Sequence, residues 1–199
     1  DGSVIFHDVT SALAVINVIG PNSRKLLEKI SRGDISNENF RFSKCKQITV
    51  GHAPVTVLRV TFVGELGYEL YIPTEFACYV YESLWDAGQD LGIKNAGYRV
   101  FNSLHFEKGY ANWASDLTPE YTPYDAGLGF CVALNKGDFI GREALAKIKA
   151  EGPKWRLCSF TIDADQPVML RGSEPITYKG KVIGTTTGGG YGYTVGKTI

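Results

Sequence analysis

The chain has 199 residues, 44% of them hydrophobic, and its 21 basic residues balance 21 acidic ones, leaving a formal net charge of zero. That length can bury a core, in one large or two small domains, and the absence of a net positive field argues against nucleic acid as a partner. No apolar run reaches the length of a membrane span, and the start, DGSVIFHDVT, lacks the basic and apolar regions of a secretory leader, so the chain reads as soluble and intracellular with no membrane partner.

VIFHDVT (4–10) and AVINVIG (14–20) read as strands. GPNSRKLLEKI follows as a helix, with Pro21 suited to its first turn and Leu26, Leu27 and Ile30 as its apolar stripe. After a loop at GDISNENF, KQITVG and VTVLRV read as strands, and FVGELGYELYIP (62–73) brings the chain back through a short glycine-containing turn. Period-2 alternation places Tyr68, Leu70 and Ile72 on one face of that returning strand and Glu69 with Tyr71 on the other, with Glu65 at the turn. Glu69 is therefore either a solvated outer-face residue or a ligand group on a rigid element. Thr74 can cap a helix over 75–92, in which Phe76, Val80, Leu84, Ala87 and Leu91 recur at helical spacing and Gly92 marks the end.

GYRVFNSLHFEKG reads as a second long helix stopped by Gly109, ANWASDLTPEYTPYDAG as an ordered loop, LGFCVAL as a strand and DFIGREALAKIKAEG as a compact helix. Beyond Pro153 only strands and turns are expected: WRLCSFTI, then PITYKGKVIGTTT with Lys179-Gly180 as a two-residue hairpin turn. The domain boundary is expected near Gly152, giving an α+β domain over 1–152 and the start of a small barrel-like β domain over 153–199. The number of strands is too small to close a barrel. The end at VGKTI reads as a truncation.

TGGGYGYTVGKT invites a phosphate-loop reading, but the glycine required five residues before Gly196 is Tyr191, so a glycine-rich hairpin is expected instead. No GxGxxG lies between a strand and a helix, and no nucleophile elbow is present. Cys45, Cys78, Cys131 and Cys158 are widely spaced, and so are His7, His52 and His105; buried free thiols in a reducing compartment and no metal site are expected. Several aromatics, Phe62, Tyr68, Tyr71, Tyr98, Tyr110 and Trp113, fall in segments that also carry Glu65, Glu69 and Glu107. They read either as core and rim or as the walls of a flat heteroaromatic site with a carboxylate at its edge.

VTFVGELGYELYIP, GIKNAGYRVFNSLHFEKGYANWASDLTPEYTPYDAGLGF, DFIGREAL and YKGKVIGTTT together resemble the folate-binding aminomethyltransferase family, whose type member is the glycine cleavage T-protein. The resemblance spans essentially the whole chain and is closest to the C-terminal part of sarcosine and dimethylglycine dehydrogenases. It implies the α+β T-protein folate-binding fold, an antiparallel sheet with flanking helices. The second glutamate of the family's GExGxE motif, here Glu69, would hold the pterin ring of tetrahydrofolate, with Phe62, Glu65, Tyr68 and Trp113 completing the folate site. Phe62 stands where several relatives carry a tyrosine, so it can stack but not hydrogen-bond. Phe101 occupies the place of a T-protein arginine, as in the dehydrogenase branch. The family's catalytic aspartate lies N-terminal to the matched region, neither Asp1 nor Asp8 fits its motif, and no catalytic residue is assigned.

The resemblance implies a tetrahydrofolate-binding segment of an N-methylglycine dehydrogenase, with FAD held only by an N-terminal flavin domain of the same polypeptide and outside these residues. The segment alone would then be inactive. Two other functions fit the same resemblance: a regulatory module like the regulatory subunit of pyruvate dehydrogenase phosphatase, and a stand-alone T-protein-like aminomethyltransferase. Mitochondrial matrix or bacterial cytoplasm is the implied location.

Overall fold

Recurring apolar residues build four strands, and the two-residue β2 pairs onto their edge, in one antiparallel sheet ordered β1 (Leu13–Ile19), β5 (Gly67–Pro73), β4 (Ala53–Leu58), β3 (Cys45–Val50) and β2 (Ser31–Arg32). One face carries Ile48, Val50, Val55, Val57, Tyr68, Leu70 and Ile72, all at most 5% exposed. Against it pack Leu26 and Leu27 of helix α1 (Ser23–Ile30) and Val80 and Leu84 of helix α2 (Ala77–Gly88), closing one hydrophobic core. This computed structural model describes residues 2–199 and separates them into a unit ending at Gly97, which holds the sheet, and a unit from Tyr98 to Ile199.

Strand β5 pairs on both sides, with β1 in the register Asn17↔Glu69 and Val15↔Tyr71, and with β4 in the register Leu58↔Glu69 and Thr56↔Tyr71. The β4–β5 connection is residues 59–66, longer than the short turn expected. It is pinned by the buried Val63 and by the Leu66 carbonyl, which accepts from the Gly20 amide (2.8 Å) and the Ser23 hydroxyl (3.2 Å). Gly67 is required where this loop folds back, because a Cβ there would meet the Val60 carbonyl oxygen at 2.8 Å.

The second unit comprises α3 (Val100–Glu107), α4 (Arg142–Glu151), the hairpin β6 (Pro175–Tyr178) and β7 (Lys181–Thr185), and the short pair β8 (Tyr191–Gly192) and β9 (Lys197–Thr198). Lys179 and Gly180 both take positive φ, 49° and 75°, forming the expected two-residue turn. The glycine-rich stretch forms the β8–β9 hairpin in place of a phosphate loop. Among the described residues this unit contains no fully buried hydrophobic side chain. Its buried groups are polar: His105, Asp116, Asp125 and Thr198.

Several expectations give way. Residues 4–9 form no strand; Val4, Ile5 and Phe6 are about four-fifths exposed, and only Thr10–Ala12 winds into a 3₁₀ turn, because this stretch has no ladder partner. LGFCVAL contains a 3₁₀ turn at Gly129–Cys131, closed by the Cys131 and Val132 amides on the carbonyls of Leu128 and Gly129. WRLCSFTI is extended but pairs only through the single bridge Ile162↔Thr198. Pro21 lies ahead of α1, whose N-cap is Asn22. Thr74 does not cap: its hydroxyl donates to the Ser11 carbonyl at 2.8 Å, and a 3₁₀ turn at Thr74–Phe76 precedes α2. The four cysteines are free but exposed, contrary to the burial expected, because they sit on outward positions of β3 and α2 or in the irregular segments of the second unit.

Candidate functional site

Glu69 is half-buried at the centre of β5, on the sheet face turned away from α1 and α2. Its Oε2 accepts a hydrogen bond from the Tyr71 hydroxyl at 3.0 Å. The two side chains meet because residues two apart on a strand share a face. That bond raises the Tyr71 phenol above its usual value, with burial and the Glu69 charge adding to the effect. A carboxylate offers about four lone-pair sites, so with one taken by Tyr71 it can still accept two parallel donors.

The other expected site residues are distributed unevenly. Phe62 (40% exposed) and Glu65 (half-buried) lie on the 59–66 loop that leads into β5. Tyr68 does not share the face of Glu69: alternation sends it into the core, fully buried, with its ring 5.8 Å from that of Phe40 and its hydroxyl accepting from Arg24 Nε at 3.0 Å. Its place is structural support rather than a ligand wall. Trp113 belongs to the second unit, 68% exposed in the 111–127 loop, where it bridges Leu117. Tyr71 is the residue that the sequence reading places on the right face without assigning it a role. Alternation shows the shared face, but the hydrogen bond depends on side-chain geometry that the sequence pattern does not specify.

Asp8, set aside as a catalytic candidate, is engaged locally by the Thr10 amide (2.9 Å) and hydroxyl (2.6 Å), and the hydroxyl bond is the main cause of its lowered pKa. Asp1 lies outside the described residues. Among the described residues no cluster of His, Cys, Asp and Glu is arranged to hold a metal, and no helix is long and apolar enough to cross a membrane.

The second unit carries an open cleft of about 820 Å³ whose walls include Tyr110, Trp155, Phe160 and Ile176. Its acidic groups are spent on the fold. Asp116 accepts from the Asn112 amide (2.7 Å) and the Thr187 hydroxyl, and Asp125 from the amides of Thr122 (2.9 Å) and Trp155 (2.8 Å). The Thr122 hydroxyl, chiefly, holds Asp125 below the usual carboxylate range against the opposing effect of burial.

The GCVT N-terminal domain model matches residues 1–136 and the glycine cleavage T-protein C-terminal barrel domain model matches 156–199, so the chain belongs to the glycine cleavage T-protein family. It is 41% identical over 197 residues to human mitochondrial dimethylglycine dehydrogenase, covering 98% of this chain and 23% of that protein. It is also 38% identical over 204 residues to the mouse mitochondrial pyruvate dehydrogenase phosphatase regulatory subunit, covering 100% of this chain and 23% of that protein. The fold matches the crystal structure of the glycine cleavage system aminomethyltransferase T from Bartonella henselae with a TM-score of 0.72 at 25% identity, covering 90% of this chain and 48% of that one. The chain thus spans under a quarter of the length of the two curated relatives.

Proposed function

We propose that this chain is the tetrahydrofolate-binding part of a sarcosine- or dimethylglycine-dehydrogenase-like enzyme, taking up the one-carbon unit released when an N-methylated glycine is demethylated. The observation that carries the reading is the Glu69 carboxylate, set on a doubly paired strand and facing away from the core, in a chain whose relatives include a dimethylglycine dehydrogenase. The donor set fits the pterin edge: an amino group and a ring N–H presented side by side match a carboxylate that accepts both. Phe62, on the loop leading into β5, offers an aromatic face for stacking. Bound tetrahydrofolate would supply the acceptor for the one-carbon unit. This chain's residues bind and orient it, while FAD and the N-methyl substrate are assigned to other parts of a longer polypeptide, in a mitochondrial or bacterial setting. Glu65, on the same loop as Phe62, is a further proposed contributor.

The test is titration of the full-length protein with tetrahydrofolate, followed by fluorescence quenching. Glu69→Gln places a donor opposite a donor, and affinity should fall about thirtyfold to a hundredfold, as for a charge-assisted hydrogen bond left unmade. Affinity equal to that of the parent would remove Glu69 from the site. The relative from pyruvate dehydrogenase phosphatase supports a second reading, a regulatory module that keeps the fold without the transfer. Folate binding without consumption of dimethylglycine or sarcosine by the full-length protein would favour it.

A further inference from the structure

The Tyr71 hydroxyl lies 3.0 Å from Glu69 Oε2 and donates to it. A glutamate carboxylate on a strand is poorly fixed by its own chain, because its terminal torsion is broad and two further torsions precede it. A tyrosine is stiffer: two torsions place a rigid ring. Tyr71 is held on a strand paired on both sides, with Val15 directly across on β1 and Thr56 directly across on β4. The phenol is therefore the fixed partner of the pair, and the carboxylate is the group whose freedom it removes.

We propose that Tyr71 is a positioning residue for ligand recognition, its hydroxyl clamping one oxygen of the Glu69 carboxylate so that the remaining lone pairs are presented as a ready fork. The inference rests on the reading of Glu69 as the pterin ligand. It adds a residue that does not touch the ligand and acts only through Glu69. The bond occupies one lone pair of Oε2 and leaves both lone pairs of Oε1 and one of Oε2. Loss of the clamp leaves the fork intact but unfixed, so the cost is the ordering of one side chain on binding. That corresponds to about threefold to tenfold in affinity.

The experiment is a double-mutant cycle on the full-length protein, measuring tetrahydrofolate affinity for the parent, Tyr71→Phe, Glu69→Gln and the double variant, with thermal melting of each as a control on folding. Tyr71→Phe should weaken binding by that factor in the parent background and by less than about twofold in the Glu69→Gln background, since residues acting as one unit are not additive. Equal losses in both backgrounds would show that Tyr71 contacts the ligand itself or only supports the fold, and would overturn the proposal. So would parent-like affinity of Tyr71→Phe beside a weakened Glu69→Gln, an outcome that leaves the folate reading standing. Parent-like affinity of Glu69→Gln would take both down together.

Discussion

Glu69 and Tyr71 are coupled through one hydrogen bond, and the coupling has a signature that needs no ligand. The neutral phenol donates to the carboxylate, so its folded pKa lies above the ordinary tyrosine value of 10.0. Its contribution to stability is therefore fully present below pH 10 and is lost as pH rises through the raised value. Glu69→Gln removes both the ionised acceptor and the charge, so one phenolate in a difference-absorbance titration should appear at lower pH than in the parent. An unchanged titration would mean that the bond does not persist in solution. At this scale the sequence carried part of the site. The alternation Tyr68, Glu69, Leu70, Tyr71 separates the core face from the outer face, and by the same rule Tyr68 belongs to the core although the resemblance had grouped it with the folate residues. Which polar partner Glu69 would find was not legible, because a rotamer is chosen by neighbours that a periodic pattern does not specify.

Among the elements, those read correctly are the ones whose pattern carries a partner with it. An apolar stripe begins at Phe76, just ahead of helix α2, and continues along it through Val80 and Leu84, and β4 and β5 alternate against one core. VIFHDVT, LGFCVAL and WRLCSFTI have strand composition and no ladder to join, and β propensity without a partner strand does not make a strand. Two turns are sharp enough to test. Lys179 sits at φ 49°, a cost of about 1–2 kcal/mol for a side chain with a Cβ. Lys179→Asn, which this hairpin position favours, should stabilise the second unit by about 0.5–1 kcal/mol, seen as a higher urea midpoint. Gly67→Ala drives a methyl against the Val60 carbonyl oxygen and should destabilise the first unit by about 1–3 kcal/mol, with the 59–66 loop displaced. Parent-like urea unfolding of Gly67→Ala would show that the loop relaxes freely.

Across the whole molecule, the two units are stabilised by different means. Every fully buried hydrophobic side chain among the described residues lies before Gly97, whereas the second unit is tied by carboxylates accepting from amides and hydroxyls. Glu174 accepts from the amides of Arg171 (2.9 Å) and Gly172 (3.0 Å) and from the Thr186 hydroxyl, and the hydroxyl bond, first among these, takes its pKa from 4.5 down to about 2. Asp125 is likewise held below 3.8. Both groups have folded values below their unfolded ones, so their contribution is present above the unfolded values and drains away as pH falls from 4.5 towards 2. Acidification through that window should loosen the second unit before the first, which hydrogen exchange at pH 3 would show as early loss of protection in 98–199. Simultaneous loss in both units would contradict this.

The same division of buried groups has a thermal consequence. Exposing apolar surface to water raises the heat capacity and exposing polar surface lowers it, with a usual net of about 12–15 cal/mol/K per residue. A unit whose buried side chains are all polar should fall below that range when it melts, and the sheet unit should lie above it. The second unit then has the flatter dependence of stability on temperature: it loses less on cooling, and near freezing it is the first unit, with its Leu27, Val50 and Leu70, that the fading hydrophobic drive weakens first. Calorimetry would place the larger heat-capacity step on the transition that survives acid, and a larger step on the acid-sensitive one would reverse the assignment.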